Sequence, residues 1–175
     1  MAKDFVYPGD GALRRYYADG DFLDGQWVPL PHPAPDAAEL TIATFFHMPG
    51  WVKGLLALRN GLVAPLGLKT GGPEDLRPPT REEILDCSYS GIFAVHSATD
   101  DEVILGTDDR HLDFRVSILR SVPDDYVAIS TWVRPHNFAG RAYLAGVYPF
   151  HRIIVARCLA NAERLGIVAT QSPVS

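Results

Sequence analysis

Only two cysteines, Cys87 and Cys158, occur in the 175 residues. Two are too few for a disulfide framework or a cysteine-rich zinc site, so a reducing compartment with free thiols is expected. Long apolar runs are missing as well; none approaches the roughly 20 residues that span a bilayer. The opening Met1-Ala-Lys-Asp-Phe-Val-Tyr-Pro has no apolar core of a secretory signal, so a cytoplasmic location is expected. Excess positive charge is absent. The formal charge of −5 argues against a general nucleic-acid binder, which needs a basic face. There is no internal repeat and no low-complexity segment. No Gly-x-Ser-x-Gly elbow is present, and Tyr89-Ser90-Gly91 reads only as a turn. Gly71-Gly72-Pro73 lacks a lysine placed as in a phosphate-binding loop. No cofactor is implied.

What remains is an ordinary globular composition, 47% apolar and 21% charged, enough for one domain over residues 1–175 with a real core. Residues 1–20, with Pro8, Gly9, Gly11 and Gly20 among charges, read as a loosely held lead-in. Phe22 to Leu30 is a first strand, stopped by Pro31, Pro33 and Pro35. Asp36 with Glu39 three residues on is a capping-box start, predicting a helix from Ala37 to Phe46. A second helix is predicted from Gly50 to about Val63, bounded by Pro49, Pro65 and Gly67. Residues 69–82 read as a long loop.

From Gly91 the period changes to two. Ile92–His96, Glu102–Gly106, His111–Arg120 and Tyr126–Arg134 are strand candidates, and Asp100-Asp101 and Pro123-Asp124-Asp125 supply turns. Their close spacing predicts an antiparallel meander. Pro149 to about Leu165 reads as a closing helix, with Pro at its first position and Gly166 at its end; 138–147 offers a shorter helix leading in. The fold class expected is α+β: a curved antiparallel sheet wrapped on a long C-terminal helix, with two helices after the first strand.

Asp108 to Val116 is the densest chemistry in the chain. Six of its nine side chains ionise or donate strongly, yet Leu112, Phe114 and Val116 alternate with His111, Asp113 and Arg115. Such a strand is either a solvated sheet edge or the wall of a polar-lined pocket. Helical projection adds two misplaced polar groups. Arg59 falls near the middle of an apolar face made by Trp51, Val52, Leu55, Leu56, Leu62 and Val63. It must snorkel out or meet a carboxylate or a ligand anion. His151 falls at the centre of the face of Phe150, Ile154, Val155, Cys158, Ala162 and Leu165, with Arg152, Arg157, Glu163 and Arg164 pointing away. If the odd face of the charged strand looks the same way, Asp109, His111, Asp113 and Arg115 are their natural partners.

Three readings stand side by side: a structural network, a polar-lined ligand pocket, and an acid/base centre. His111 and Asp113 form a His-x-Asp pair that could hold a metal, but Arg110 and Arg115 would repel a cation, and no metal is expected. His136-Asn137, followed by Arg141 and Tyr143, is a pocket rim or a helix start capped by Asn137; the cap is favoured. Cys87 is a nucleophile or a plain buried thiol, and no neighbour in sequence marks it as activated.

Several spaced motifs together resemble a bacterial family of uncharacterised domains, found alone or fused behind NAD(P)-binding, short-chain-dehydrogenase-like domains. They are Pro49-Gly50-Trp51, Leu58-Arg59-Asn60, Leu66-Gly67-Leu68 and Gly106 through Arg115. His136-Asn137, Gly140-Arg141-Ala142-Tyr143-Leu144 and Pro149-Phe150-His151-Arg152 continue the series, so the resemblance covers roughly residues 20–165. Only this domain of the fused members is represented in these residues, so no cofactor is expected to carry over. The helix placement is also similar to the START-like helix-grip superfamily, whose cavities hold lipids, polyketides or hormones and in a few members support cyclase or hydrolase activity.

The resulting expectation is a protein that binds a small, partly apolar, anionic or carbonyl-bearing molecule between the sheet and the last helix. Phe93, Val95, Trp132 and Phe150 would form its walls. Arg59 and His151 would orient its polar group, supported by Asp109, His111, Asp113 and Arg115. The alternatives are an enzyme of the same pocket, with His151 or Asp113 as general base in cyclisation, dehydration or hydrolysis, and a non-catalytic module partnering a reductase.

Overall fold

The computed structural model describes residues 2–46, 77–91 and 93–171, with side chains to residue 164. The helix expected at Gly50–Val63, with Arg59, lies outside the described residues, as do most of the expected loop and the Ile92 start of the first meander strand.

Six antiparallel strands form one sheet: β1 (Lys3–Asp4), β2 (Phe22–Pro29), β3 (Ala94–Ala98), β4 (Glu102–Asp108), β5 (Leu112–Ser121) and β6 (Tyr126–Pro135). Their order is β1-β2-β6-β5-β4-β3. Strands β3 to β6 are the expected meander. Its tight corners use Asp100-Asp101 and Asp125, the latter at φ 54, a left-handed value that Asp tolerates. Strand β2 then pairs along the free side of β6, from Phe22 opposite Val133 to Pro29 opposite Tyr126.

The period of two sorts side chains cleanly. Phe114, Val116 and Ile118 of β5, with Val103 and Leu105 of β4 and Val127 and Ile129 of β6, make one apolar face. Against it pack α1 (Ala37–Thr41), α2 (Arg81–Leu85) and α3 (Phe138–Gln171) through Leu40, Ile84, Val155, Cys158, Leu159 and Ala162. The capping box behind α1 forms as expected: Glu39 N donates to Asp36 Oδ1 at 2.8 Å and Asp36 N to Glu39 Oε2 at 3.2 Å. The helix then widens into a π turn over Ile42–Phe46. Hydroxyls of Thr41 and Thr44 donate back to the carbonyls of Ala37 and Leu40, both at 2.7 Å, and compete with the backbone ladder there.

Three expectations change. A second capping box, Thr80 with Glu83, opens α2 inside the segment read as loop. The last helix begins at Phe138 and runs through Pro149 and Gly166 to Gln171. Pro149 removes one helical donor, but Ala145, Gly146 and Pro149 all face solvent, where the carbonyl left over is hydrated. No described helix is long and apolar enough to cross a membrane.

The third change concerns residues 1–20, which are a fixed cover rather than a loose lead-in. A 3-10 helix at Ala12–Tyr16 and the chain around it lie on the second face of the sheet. Tyr7 and Leu13 are buried there with Ile104 and Trp132. The Tyr7 hydroxyl donates to Glu102 Oε1 and accepts from Leu13 N. Burial, with the Glu102 hydrogen bond, pushes the Tyr7 phenol well above its ordinary range. Asp21 ties down the end of the cover, accepting from Trp132 Nε1 at 2.9 Å and Arg134 Nη2 at 2.8 Å. Burial alone would raise its carboxyl, but these donors and Ala18 N hold it below the usual range.

Candidate functional site

Because Phe114, Val116 and Ile118 turn to the helix-covered face of the sheet, under α1, the alternating Asp113 and Arg115 turn to the opposite face, where Arg115 meets Tyr16 of the N-terminal cover. The expectation that the odd face of this strand meets His151 therefore fails on topology. Arg115 is 6% exposed. Its Nη1 donates to Asp108 Oδ1 at 2.7 Å, Phe114 O at 2.9 Å and Thr107 O at 3.3 Å, and its guanidinium lies 4.9 Å from the Tyr16 ring centre. Arg115 in turn holds the Asp108 carboxyl below its usual range.

The other members of the motif organise a corner. Asp113 accepts from His136 Nε2 at 3.0 Å. Asp109 and His111 lie in the β4–β5 turn, where Asp109 N donates to Leu112 O at 3.1 Å. Asn137 Nδ2 donates to His111 Nδ1 at 3.1 Å, while Asn137 Oδ1 accepts from Gly140 N at 3.0 Å. Asn137 is thus the N-cap of α3, as favoured from sequence, and His111 anchors that cap. Among the described residues no group of three or more His, Cys, Asp or Glu side chains could hold a metal ion.

The proposed apolar walls also disperse. Trp132 belongs to the covered face. Phe93 packs edge-on against Phe45 and Phe114, Val95 joins the main core, and Phe150 is more exposed than buried. Cys87 is exposed, not buried, at φ 57 just past α2; Cys158 is the buried thiol, pushed up to about 12 by burial.

His151 does point inward from α3, and it meets β2. Alternate residues Phe22, Asp24, Gln26 and Val28 form the β2 face beneath the helix. Phe22 packs edge-on against Tyr148 at 5.2 Å, and Gln26 Nε2 donates to the Arg152 carbonyl at 3.1 Å. Asp24 sits between them. Its Oδ1 accepts from Arg152 Nη1 at 3.0 Å, and the same guanidinium also reaches Asp4 on β1. Arg152, read from the helical projection as pointing away, is therefore the clamp between helix and sheet.

Two oxygens at this spot are unsatisfied. Asp24 Oδ2 is buried with no hydrogen-bond partner, and so is Oγ1 of Thr131. Asp24 and Thr131 are direct partners in the β2–β6 register, so both side chains lie on one face. His151 Nε2 stands 3.8 Å from Asp24 Oδ2, too far for a direct hydrogen bond. Burial, assisted by Arg152, lowers the His151 pKa against the pull of Asp24, so the imidazole is neutral near pH 7 and carries one donor and one acceptor.

A groove of about 420 Å³ opens beside the cluster. Ile153, Ala156 and Ala160 of α3 and Ala2 form its apolar walls, and Gln26 and Arg152 reach it from the cluster, but Asp24, Thr131 and His151 do not line it. Asp24 and Thr131 escaped sequence reading, although an aspartate and a glutamine alternating with Phe22 and Val28 signal polar groups on a packed strand face. No curated protein and no solved structure matches the chain. A family model described as a protein of unknown function, DUF2867, matches residues 16–158, from the covering 3-10 helix through the inward face of α3, and the chain belongs to that family.

Proposed function

We propose that this protein binds a small, partly apolar molecule in the groove between the sheet edge and α3, with the polar end at Gln26 and Arg152, the latter held from behind by Asp24. The observation that carries the reading is the groove itself, walled by Ile153, Ala156, Ala160 and Ala2 with Gln26 and Arg152 beside them. The groove volume of about 420 Å³ falls in the range of about 300–1,000 Å³ usual for small-molecule sites. Arg115, Asp113, His111 and Asp109 act on this reading as the network that holds the cover and the start of α3. Native mass spectrometry of the protein purified from its host tests the proposal. A bound small molecule is expected on the wild type and lost from Asp24→Ala; a wild type without any adduct counts against it.

A further inference from the structure

We infer that the outward face of α3 docks on an anionic bilayer surface, lying along its headgroup layer without crossing it. This goes beyond the groove reading and needs no bound molecule. An ordinary surface helix is apolar on one side only. The inner side of α3 carries Val155, Cys158, Leu159 and Ala162 into the core, yet Phe138, Phe150 and Ile153 stand 78%, 54% and 55% exposed. They are three of the five large apolar side chains that are exposed among the described residues. Charge is distributed as unevenly. The chain has 21 acidic residues, but none falls between Phe138 and Ala162, where Arg141, Arg152 and Arg157 lie. Arg152 is held by Asp24 and Asp4. Arg141, Arg157 and Arg164 are exposed and pair with no carboxylate of the described residues.

At about 100° per residue, Phe138, Ala142, Pro149, Ile153, Ala156 and Ala160 follow one outward stripe. Arg141 lies on one flank of it; Phe150, Arg157 and Arg164 lie on the other. An apolar stripe between arginine flanks suits a bilayer interface, where rings enter the upper acyl region and guanidiniums meet lipid phosphates. From Phe138 to Ala160 the stripe runs about 33 Å at about 1.5 Å per residue, so contact is made along the helix. Two acids border the face, Asp4 at Arg152 and Glu163 in the groove wall, and they leave an arginine excess on its outer side. The formal charge of −5 opposes approach to an anionic surface, but charges beyond about 8 Å are screened at physiological salt. A second copy suits the face less, because it would add more arginines along a stretch without a carboxylate. A protein partner would need a cleft for each protruding ring, whereas a fluid interface receives them at any spacing.

The test sediments the full chain with vesicles of equal parts phosphatidylcholine and phosphatidylglycerol, and with vesicles of phosphatidylcholine alone. Binding to the anionic vesicles, about tenfold or more above the neutral ones and released by high salt, is expected. Arg141→Gln with Arg157→Gln should weaken anionic binding about thirtyfold, at about fivefold per arginine, and leave neutral binding unchanged. Phe138→Ser with Phe150→Ser should weaken binding to both. All four side chains are exposed, so the urea midpoint should hold. Val122→Ser, at an exposed site on the β5–β6 turn, should bind as the wild type does. Absent binding, equal binding to both vesicles, or an equal loss in Val122→Ser overturns the inference. So does a dimer in sedimentation equilibrium that Phe138→Ser with Phe150→Ser dissociates, without vesicle binding; a second copy then covers the face. Retention on polyglutamate without vesicle binding overturns it too and gives the face to an acidic protein. Native mass spectrometry decides the groove separately, whatever the vesicles show.

Discussion

Asp24 and Thr131 face each other across β2 and β6, and each keeps one buried oxygen without a hydrogen-bond partner. Two such groups side by side are unusual on a sheet face packed under a helix, because most buried polar atoms are paired. Valine matches threonine in shape and carries no hydroxyl. In ligand-free protein Thr131→Val is therefore expected to leave stability unchanged or to raise it by up to about 1 kcal/mol, since an unmade hydrogen bond is removed. Urea unfolding checks this. A loss of more than about 1 kcal/mol would show that the hydroxyl is bonded within the protein.

His151 supplies the pH dependence. Burial holds its folded pKa below the ordinary value of about 6.5, with Arg152 adding to the effect and Asp24 opposing it. In the unfolded chain the ring takes a proton near pH 6.5; in the folded chain it does so only at lower pH. Between those values the unfolded state binds more protons, so stability falls as pH falls through this window and levels off below the folded pKa. Unfolding free energies at pH 7.5 and 5.5 should show a smaller drop in His151→Gln than in the wild type. His96 is also held low by burial, but it is present in both proteins and cancels in the subtraction. Equal drops would place the imidazole in solvent.

The comparison between sequence and structure turns on which face is which. Alternation along Leu112–Val116 defined two faces of β5 correctly, because a strand's period of two depends on nothing beyond the strand. Assigning the charged face to the interior needed tertiary information. Phe114, Val116 and Ile118 claim the helix-covered side, since burying them there removes the most apolar surface from water. The charged face fell to the N-terminal cover, whose role was hidden by its three glycines and Pro8. His151 was legible because a polar residue on an apolar helix face stands out at a period of 3.6. Asp24 was not, because its meaning depends on α3 lying over β2. The early start of α3 was masked by Pro149, whose fixed φ suits a first turn equally well.

The cover itself can be tested at Tyr7. Its hydroxyl bonds to Glu102 and to Leu13 N, while Ser117 Oγ donates to the same Glu102 oxygen at 2.5 Å. Tyr7→Phe leaves the ring packing intact and removes the hydroxyl, so Leu13 N and Glu102 each lose a partner. The expected cost is about 1–3 kcal/mol. Tyr7→Ala also opens a cavity over Ile104 and Trp132 and should cost about 3–5 kcal/mol. Changes below about 0.5 kcal/mol for both, read by chemical denaturation, would return residues 1–20 to the status of a loose lead-in.

Two glycines of α3 make a matched pair. Replacing an exposed helical glycine by alanine ordinarily stabilises by about 0.5–1 kcal/mol, because the unfolded chain loses freedom and the helix gains a better former. A Cβ on Gly146 would have nothing within 4 Å, so Gly146→Ala should show this gain. A Cβ on Gly140 would run into the carbonyl oxygen of His111 and lie 3.1 Å from its carbon. That carbonyl is not free to retreat, since it accepts from His136 N at 2.9 Å. Gly140→Ala should therefore reverse the sign and cost about 1–3 kcal/mol, as overpacking against backbone does. It should also shift the His111 and Asn137 resonances, because the cap of α3 and the β4–β5 turn meet at that contact. A stabilising Gly140→Ala, measured beside Gly146→Ala in the same denaturant series, would mean that α3 does not dock against the turn in this register.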